Sequence, residues 1–206
     1  EVEKILYELT EKFLCHEHTI KIAMDTMHHY DVIFAKAKHS LYIRGECPLL
    51  NEDYVLHLKG ARHPMLKENS VPLALHFGES DRALVITGPN TGGKTVTLKT
   101  IGLLTMMAQT GLYIPVEKGS TLHIFHRIFV DIGDGQSIEE NLSTFSSRLL
   151  NIIEILKQTD NQSLVLLDEL GSGTDPSEGM ALAIVILEKL FEKGATLFAT
   201  THYSEM

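Results

Sequence analysis

The stretch Gly88-Pro-Asn-Thr-Gly-Gly-Lys-Thr95 decides the fold, and it follows an apolar run, Ala83-Leu-Val-Ile86. A strand, a glycine-rich turn and a helix in this order form a Walker A loop, or P-loop. The glycines let backbone N–H groups approach phosphate oxygens without a Cβ in the way. The sequence therefore predicts a buried strand over 83–86, a helix over about Thr95–Gln109 and a bound nucleoside triphosphate.

The P-loop side chains have expected roles in binding and in catalysis. Lys94 can reach the β- and γ-phosphates, and Thr95 can place its hydroxyl on Mg²⁺. The positive N-terminal end of the following helix points at the same anion. The residues expected to bind the nucleotide here are Gly88, Pro89, Asn90, Thr91, Gly92, Gly93, Lys94, Thr95 and Val96.

A second motif supplies the acids that triphosphate hydrolysis requires. The apolar run Leu164-Val-Leu-Leu ends in Asp168 and Glu169, which is the pattern of a Walker B strand. Asp168 is expected to support the Mg²⁺ held by Thr95, and Glu169 to orient and deprotonate the attacking water. His202 follows the next apolar strand, where it can contact the γ-phosphate or that water.

The bulk composition limits the class of protein. The chain has 206 residues, and 44% of them are hydrophobic and 22% are charged, which suits a globular protein without metal or disulfide support. The net charge is −9 and the basic residues are scattered, so we do not expect this chain to grip nucleic acid unaided. Cys15 and Cys47 are interpreted as free thiols. No apolar run reaches the length of a membrane span, so a cytoplasmic location is expected.

Residues 1–38 contain neither glycine nor proline, and their apolar residues recur at helical spacing with an interruption at His16. A continuous helix here would be about 57 Å long at 1.5 Å per residue. We interpret residues 1–40 as a long helical lever or connector. The alternative is a broken helical hairpin packed on the ATPase core. Residues 41–206 are interpreted as the ATPase domain, and the chain is interpreted as a fragment truncated at its C-terminus.

The rest of the chain alternates strand-like and helix-like segments. A β-rich region near Tyr54–Leu58 is expected to form an antiparallel subdomain. The other expected elements are strands over Ile124–Asp131, Ser163–Leu167 and Ala195–Ala199, and helices over Ser143–Lys157 and Pro176–Lys193. This alternation predicts an α/β fold, namely a mainly parallel sheet flanked by helices.

These motifs together have the layout of ABC-type P-loop ATPases, whose sites close with a second subunit. The transporter signature Leu-Ser-Gly-Gly-Gln is absent, which disfavours a transporter. The stretches Thr87–Thr95, Ser143–Phe145, Asp168–Gly179 and Thr200–Tyr203 resemble the MutS family. The Thr-Asp-Pro and Ser-Thr-Phe-Ser-Ser forms resemble its second bacterial branch, which lacks the mismatch-reading domains.

The resemblance implies ATP and Mg²⁺ as ligands and a homodimer with composite sites. In such a dimer Asn90 would be a sensor in the loop, Ser143 would contact the γ-phosphate held by the partner subunit, and residues 171–175 would cross the interface. Adenine would lie near His63, Pro64 and Leu73. Mismatch-repair members stack an aromatic residue on the base where Leu73 stands, and they carry glycine where Asn141 stands.

For the whole protein, the resemblance implies a clamp region and a C-terminal Smr nuclease-like domain, both outside this chain. It also implies contact with branched DNA, in suppression of recombination, or with stalled ribosomes, in their rescue. Any endonuclease activity would then lie outside this chain, and binding to DNA or rRNA would rest mainly on those other parts. The leading hypothesis is an ATPase whose dimer closure gates that contact. The alternative is an ATP-dependent dimerisation clip with negligible turnover, and the intact Glu169 and His202 favour hydrolysis.

Overall fold

The computed structural model describes residues 1–66, 70–89, 92–133 and 141–203, and it describes residues 141–144 by their backbone alone. The chain divides into two compact units, Glu1–Tyr42 and Ile43–Met206. In the described ranges, no helix combines the length and the apolar character needed to cross a membrane.

The first unit consists of α1 (Val2–Leu14) and α2 (Glu17–Tyr42), and none of its residues, all of which are described, is buried. Residues 1–38 do not form one continuous helix, because α1 ends at Leu14 and α2 begins at Glu17. The interpretation of residues 1–40 as a lever or connector stays a prediction. At the break, the Cys15 N–H bonds to the Glu11 carbonyl, but the His16 N–H bonds to the Phe13 carbonyl only three residues back. This tighter turn falls where His16 interrupts the apolar seam. α2 alone has 26 residues, which corresponds to about 39 Å.

The second unit contains eight described strands and three described helices. In chain order they are β1 (Leu49–Asn51), β2 (Leu56–Ala61), β3 (Leu73–Phe77), β4 (Ala83–Thr87), α3 (Lys94–Gln109), β5 (Thr121–His123), β6 (Arg127–Asp131), α4 (Asn141–Gln158), β7 (Ser163–Leu167), α5 (Pro176–Glu192) and β8 (Thr196–Thr201).

A parallel sheet of four strands in the order β4-β8-β7-β6 forms the centre of this unit. Its two central strands, β7 and β8, are buried along their whole length. Leu164, Leu166 and Phe198 face α3 and the other sheet, whereas Val165 and Leu197 face α4 and α5. The parallel sheet flanked by helices is thus confirmed. The finer assignment to the ABC type stays a prediction.

The strand that leads to the P-loop differs from the expectation. β4 pairs with β8 only, among the described strands, and lies at the edge of the sheet. Its residues are half-buried or exposed, so the prediction of a buried strand over 83–86 is wrong. An apolar run does not distinguish a central strand from an edge strand, because both need one well-packed face.

The second sheet has the order β1-β5-β2-β3 and is only partly antiparallel. β2 pairs antiparallel with β3 and with β5, but β1 and β5 are parallel, which departs from the antiparallel subdomain expected. β2 begins at Leu56 rather than at Tyr54, because Tyr54 adopts a left-handed backbone with φ 62°. The strand expected over Ile124–Asp131 is shorter, since β6 begins at Arg127.

Candidate functional site

The strand order brings the predicted motifs to one edge of the parallel sheet. β8 lies between β4 and β7, with Thr87 opposite Thr201 and Ala199 opposite Leu167. At its carboxyl end, β4 leads into the P-loop, β8 leads to His202 and β7 leads to the Asp168-Glu169 pair. In parallel sheets, ligands bind outside these carboxyl ends. The fold therefore gathers the P-loop, the Walker B acids and His202 at one candidate site.

The P-loop leaves open space around its glycines. Among the described residues, which do not include 90 and 91 of this loop, a Cβ added at Gly88, Gly92 or Gly93 would meet no atom within 4 Å. Gly88 (φ 130°) and Gly93 (φ 74°) have left-handed backbones that favour glycine, whereas no such conformation accounts for Gly92. The open space beside these glycines fits a ligand that approaches the backbone closely, as a phosphate does.

The first residues of α3 place charge and hydroxyl at this loop. Lys94 is buried, with 5% of its surface exposed, and its ammonium donates a hydrogen bond to the Gly88 carbonyl. Thr95 is half-buried, and Val96 is 40% exposed. The Pro89 carbonyl accepts the Gly92 N–H at 3.1 Å. The two other predicted contacts, Asn90 and Thr91, lie outside the described residues.

The Walker B acids are held by a threonine from the neighbouring strand. Asp168 is 3% exposed, and its Oδ1 accepts a hydrogen bond from the Thr200 hydroxyl. The Thr200 oxygen in turn accepts the Glu169 N–H at 2.8 Å. Glu169 itself has a left-handed backbone with φ 49°. The single hydroxyl of Thr200 therefore orients one acid by its side chain and the other by its backbone.

The side chains of Glu169 and His202 contact each other. Their Oε1 and Nε2 atoms lie 3.4 Å apart, and the two side chains are 31% and 39% exposed. Glu169 is thus open to water and has an imidazole beside it that can orient it. The predicted contact of His202 with a γ-phosphate or with the attacking water stays a prediction.

We call residues Asp168–Asp175 the Walker B turn. Its middle is tied to the end of β8, because the Leu170 N–H bonds to the Thr200 carbonyl at 2.9 Å and the Tyr203 hydroxyl bonds to the Gly171 carbonyl at 2.9 Å. Gly171 also packs against Gly179, so a Cβ on either glycine would meet the other's carbonyl oxygen inside normal contact distance.

The Walker B turn ends at a well-formed helix cap. The Asp175 carboxylate accepts the backbone N–H groups of Ser177 and Glu178 at 2.9 and 3.4 Å, and Pro176 opens α5. The hydrogen bond from the Ser177 hydroxyl, supported by the two backbone bonds, lowers the pKa of Asp175. The cap fixes the point at which the turn becomes a helix.

Arg148 on α4 also contacts this turn. Its guanidinium bonds to the Asp131 carboxylate at 2.6 Å, to the Ser172 hydroxyl at 3.3 Å and to the carbonyl of Asp168. The sequence patterns assigned no role to Arg148, Thr200 or Tyr203. A polar Thr200 inside a fully buried strand was the available signal, whereas nothing in the local pattern indicates the partners of Arg148.

Two of the residues expected near adenine, His63 and Pro64, follow β2, and the third, Leu73, begins β3. The His63 N–H donates to Ser70 Oγ at 3.0 Å, and burial, together with the charge of Lys99 on α3, lowers the pKa of the His63 side chain. Pro64 is half-buried, and Leu73 pairs with Ala61 across β3 and β2 and packs on the core. An adenine contact at these residues stays a prediction. Ser143 lies in the first turn of α4, but its side chain is outside the described residues.

Comparison with known proteins identifies the family of this site. Residues 84–206 match the family described as MutS domain V. The chain belongs to the MutS family. Its MutS domain V includes the P-loop, the Walker B acids and His202, so all three motifs lie within the matched range.

Three relatives of this MutS-family chain carry the name Endonuclease MutS2. Those of Halalkalibacterium halodurans, Acetivibrio thermocellus and Geobacillus thermodenitrificans are 52%, 53% and 51% identical to it. Each comparison covers 100% of this chain but only 26% of the relative. The resemblance to the second bacterial branch is thereby confirmed, and the chain spans about a quarter of the length of these relatives.

Proposed function

We propose that this MutS-family chain is an ATP-binding and ATP-hydrolysing domain of the ABC type. The observation that carries the proposal is the convergence, at one edge of a parallel sheet, of an open P-loop with the contacting pair Glu169 and His202. A loop that only binds phosphate would not need a carboxylate and an imidazole at the same edge. Their presence favours hydrolysis over an ATP-dependent dimerisation clip.

The donor set at this edge fits Mg²⁺. Thr95 offers a hydroxyl and Asp168 a carboxylate, and hard oxygen ligands of this kind suit that ion. Mg²⁺, when bound, neutralises charge that develops on the phosphate oxygens. Thr200 fixes the Asp168 carboxylate by its hydroxyl hydrogen bond, so this oxygen donor needs little reorganisation.

In the proposed reaction, Glu169 accepts a proton from a water molecule. The water oxygen bonds to the γ-phosphorus, the bond from that phosphorus to the bridging oxygen breaks, and ADP leaves. Lys94 and the backbone N–H groups of the P-loop hold the phosphates. His202, in contact with Glu169 at 3.4 Å, orients the carboxylate.

The test compares Glu169→Gln with Lys94→Ala. Glu169→Gln should retain ATP binding and lose most turnover, roughly 100-fold or more, because only the proton acceptor is lost. Lys94→Ala should weaken ATP binding itself. Glu192→Gln is the matched control, because Glu192 is an exposed carboxylate that pairs with Lys189 at the far end of α5. Turnover by Glu169→Gln near the wild-type rate would contradict the role of Glu169 as the proton acceptor. A wild-type protein that binds ATP but does not hydrolyse it would favour the dimerisation clip.

We further propose that two subunits form a homodimer in which each Ser143 covers the partner's nucleotide, giving two composite sites. Closure would then require ATP, because the γ-phosphate is the group recognised across the interface. Sedimentation should show a shift from monomer to dimer when ATP is added to Glu169→Gln. Mixing inactive Lys94→Ala with inactive Ser143→Arg should restore part of the activity. No mass shift and no rescue would mean that each subunit hydrolyses ATP alone.

The proposed targets of the whole protein are branched DNA and stalled ribosomes, contacted mainly through parts outside these residues. The net charge of −9 supports a small contribution from this chain itself. Co-sedimentation of the full-length protein with ribosomes, compared with its binding to four-way DNA junctions, separates the two targets. A salt-sensitive submicromolar affinity of this chain for duplex DNA would contradict the small contribution.

A further inference from the structure

The peptide group that joins Asp168 to Glu169 is held on both of its polar sides. Its carbonyl oxygen accepts a hydrogen bond from the Arg148 guanidinium. Its N–H donates to the Thr200 hydroxyl at 2.8 Å. Thr200 belongs to β8 and Arg148 to α4, so the plane of this peptide is fixed by two different elements.

This matters because Glu169 has an unfavourable backbone. Its φ of 49° lies in the left-handed region, which is unfavourable for a residue that has a side chain. Such a conformation persists only where neighbouring groups impose it. Since φ describes rotation away from the preceding peptide plane, holding that plane determines the direction in which the Glu169 side chain leaves the backbone.

Arg148 is itself firmly anchored. Its Nε donates to Asp131 Oδ2 at 2.6 Å, and Asn151 donates to the other oxygen of Asp131 at 2.9 Å. The side chains of Arg148 and Asp131 are 23% and 11% exposed, so this ion pair is largely protected from solvent. The planar guanidinium reaches Asp131, Ser172 and the Asp168 carbonyl together, which an ammonium cannot do with the same geometry.

We propose that Arg148 is a positioning residue for Glu169 and that Arg148 couples α4 to the Walker B turn. The proposal rests on ATP hydrolysis as proposed above. α4 is one continuous helix that carries Ser143 in its first turn and Arg148 further along. A displacement of α4 when the composite site closes would therefore reach the Asp168–Glu169 peptide through one side chain.

The central variant is Arg148→Lys, which keeps a cation for Asp131 but loses the planar fork. We expect kcat to fall roughly 10- to 100-fold, as displacement of a reacting group by about 1 Å does. The dissociation constant for ATP should stay within about twofold, because no P-loop contact changes. The matched control is Arg127→Lys, since Arg127 also bonds a backbone carbonyl, that of Gln158 at 2.6 Å, and pairs with Asp160 at 3.4 Å. Arg127 opens β6 at the opposite end of the strand, so its variant should keep the wild-type kcat.

A double-mutant cycle with Glu169→Gln separates positioning from mere structural support. If Arg148 acts through the Glu169 carboxylate, then Arg148→Lys should have no further effect on the residual turnover of Glu169→Gln. If Arg148 only stabilises the fold, the losses of turnover in the two single variants should multiply in the double variant. Should Arg148→Lys fail to fold, Asp131→Asn replaces it in the cycle, because it weakens the ion pair while leaving the guanidinium in place.

The outcomes distinguish this inference from the proposed function. Absence of ATP turnover in the wild-type protein would overturn both. Wild-type turnover together with an unchanged kcat in Arg148→Lys, or with multiplicative losses in the cycle, would overturn the role of Arg148 alone. A kcat loss that disappears in the Glu169→Gln background, with ATP affinity retained, supports it.

Discussion

The P-loop and the Walker B turn both depend on glycine, but for opposite reasons. In the P-loop, no atom of the described part of the chain lies within 4 Å of a Cβ built on Gly92. In the Walker B turn, Gly171 is packed directly against Gly179, and the Tyr203 hydroxyl closes over both. In the first turn, glycine leaves room for the proposed nucleotide, whereas in the second turn it lets the chain pack on itself. A glycine-rich motif in a sequence does not by itself reveal which of the two it is.

The largest expected effect is that of Gly179→Ala. The added methyl group would meet the Gly171 carbonyl and the Tyr203 hydroxyl inside contact distance, and backbone cannot yield as a side chain tip can. We expect a loss of about 3 kcal/mol in the free energy of unfolding, at the upper end of the overpacking range. Denaturant-induced unfolding measures it. Unfolding at the wild-type midpoint would show that this close packing is not essential.

Thr200→Val tests the two hydrogen bonds by which the Thr200 hydroxyl holds Asp168 and Glu169. The isosteric change leaves the Glu169 N–H and the buried Asp168 carboxylate without this partner, which costs about 1–3 kcal/mol. The matched control lies on the same strand. Thr196 is also fully buried, and within the described residues its hydroxyl has no hydrogen-bond partner. Thr196→Val should therefore be neutral or stabilising. Equal losses of unfolding free energy in the two variants would mean that burial of the threonine, and not the hydrogen bonds of Thr200, determines the loss.

Gly92→Ala should give the converse of Gly179→Ala. Its methyl group would meet no atom of residues 70–89, 92–133 or the other described ranges within 4 Å, so the unfolding free energy should stay within about 0.5 kcal/mol of the wild type. The same methyl group would occupy the space proposed for phosphate, and ATP affinity should fall roughly tenfold or more. Titration with a fluorescent ATP analogue measures this change. An ATP affinity of Gly92→Ala equal to that of the wild type would contradict the contrast between the two turns.

The smallest effect concerns pH and a residue away from both turns. His123 is buried against Tyr54, whose N–H it accepts, and burial lowers its pKa. Below its usual pKa of about 6.5, the unfolded chain binds a proton that the folded chain resists, so stability falls as pH falls. Between pH 7.5 and 5.5, His123→Asn should therefore lose less unfolding free energy than the wild type.

His57 and His63 also have pKa values lowered first by burial, and they remain in the His123→Asn variant. A pH dependence of His123→Asn that equals the wild type would assign the effect to those residues instead.

Elements with a strong local signal were predictable from the sequence. The strand over Ser163–Leu167 matches its prediction in both bounds, and the helix predicted to begin at Pro176 does begin there. In each case one local rule, an unbroken apolar run or an Asp-Pro cap, is enough. The meeting of the P-loop with the Walker B acids also followed from the alternation of strands and helices.

What the sequence did not reveal depends on distant partners. β4 shares its apolar character with β7, and only the strand order makes it an edge strand. The break near His16 depends on a single turn, in which the His16 N–H bonds to the Phe13 carbonyl three residues back. The hydrogen bond from Arg148 to the Asp168 carbonyl joins two elements that no periodicity relates. Pattern reasoning locates elements, but side-chain bonds between elements need coordinates.

The register of β4 against β8 has a consequence for how the molecule is made. Residues Ala83–Thr87 pair with Leu197–Thr201, so the strand that leads to the P-loop gains its sheet partner from a segment synthesised much later. Pairings between such distant segments carry a high loop-closure cost and form slowly. During synthesis, a chain that already contains the whole P-loop has neither the strand beside it nor His202. The proposed nucleotide site is therefore complete only after β8 has left the ribosome, and not when the loop itself emerges.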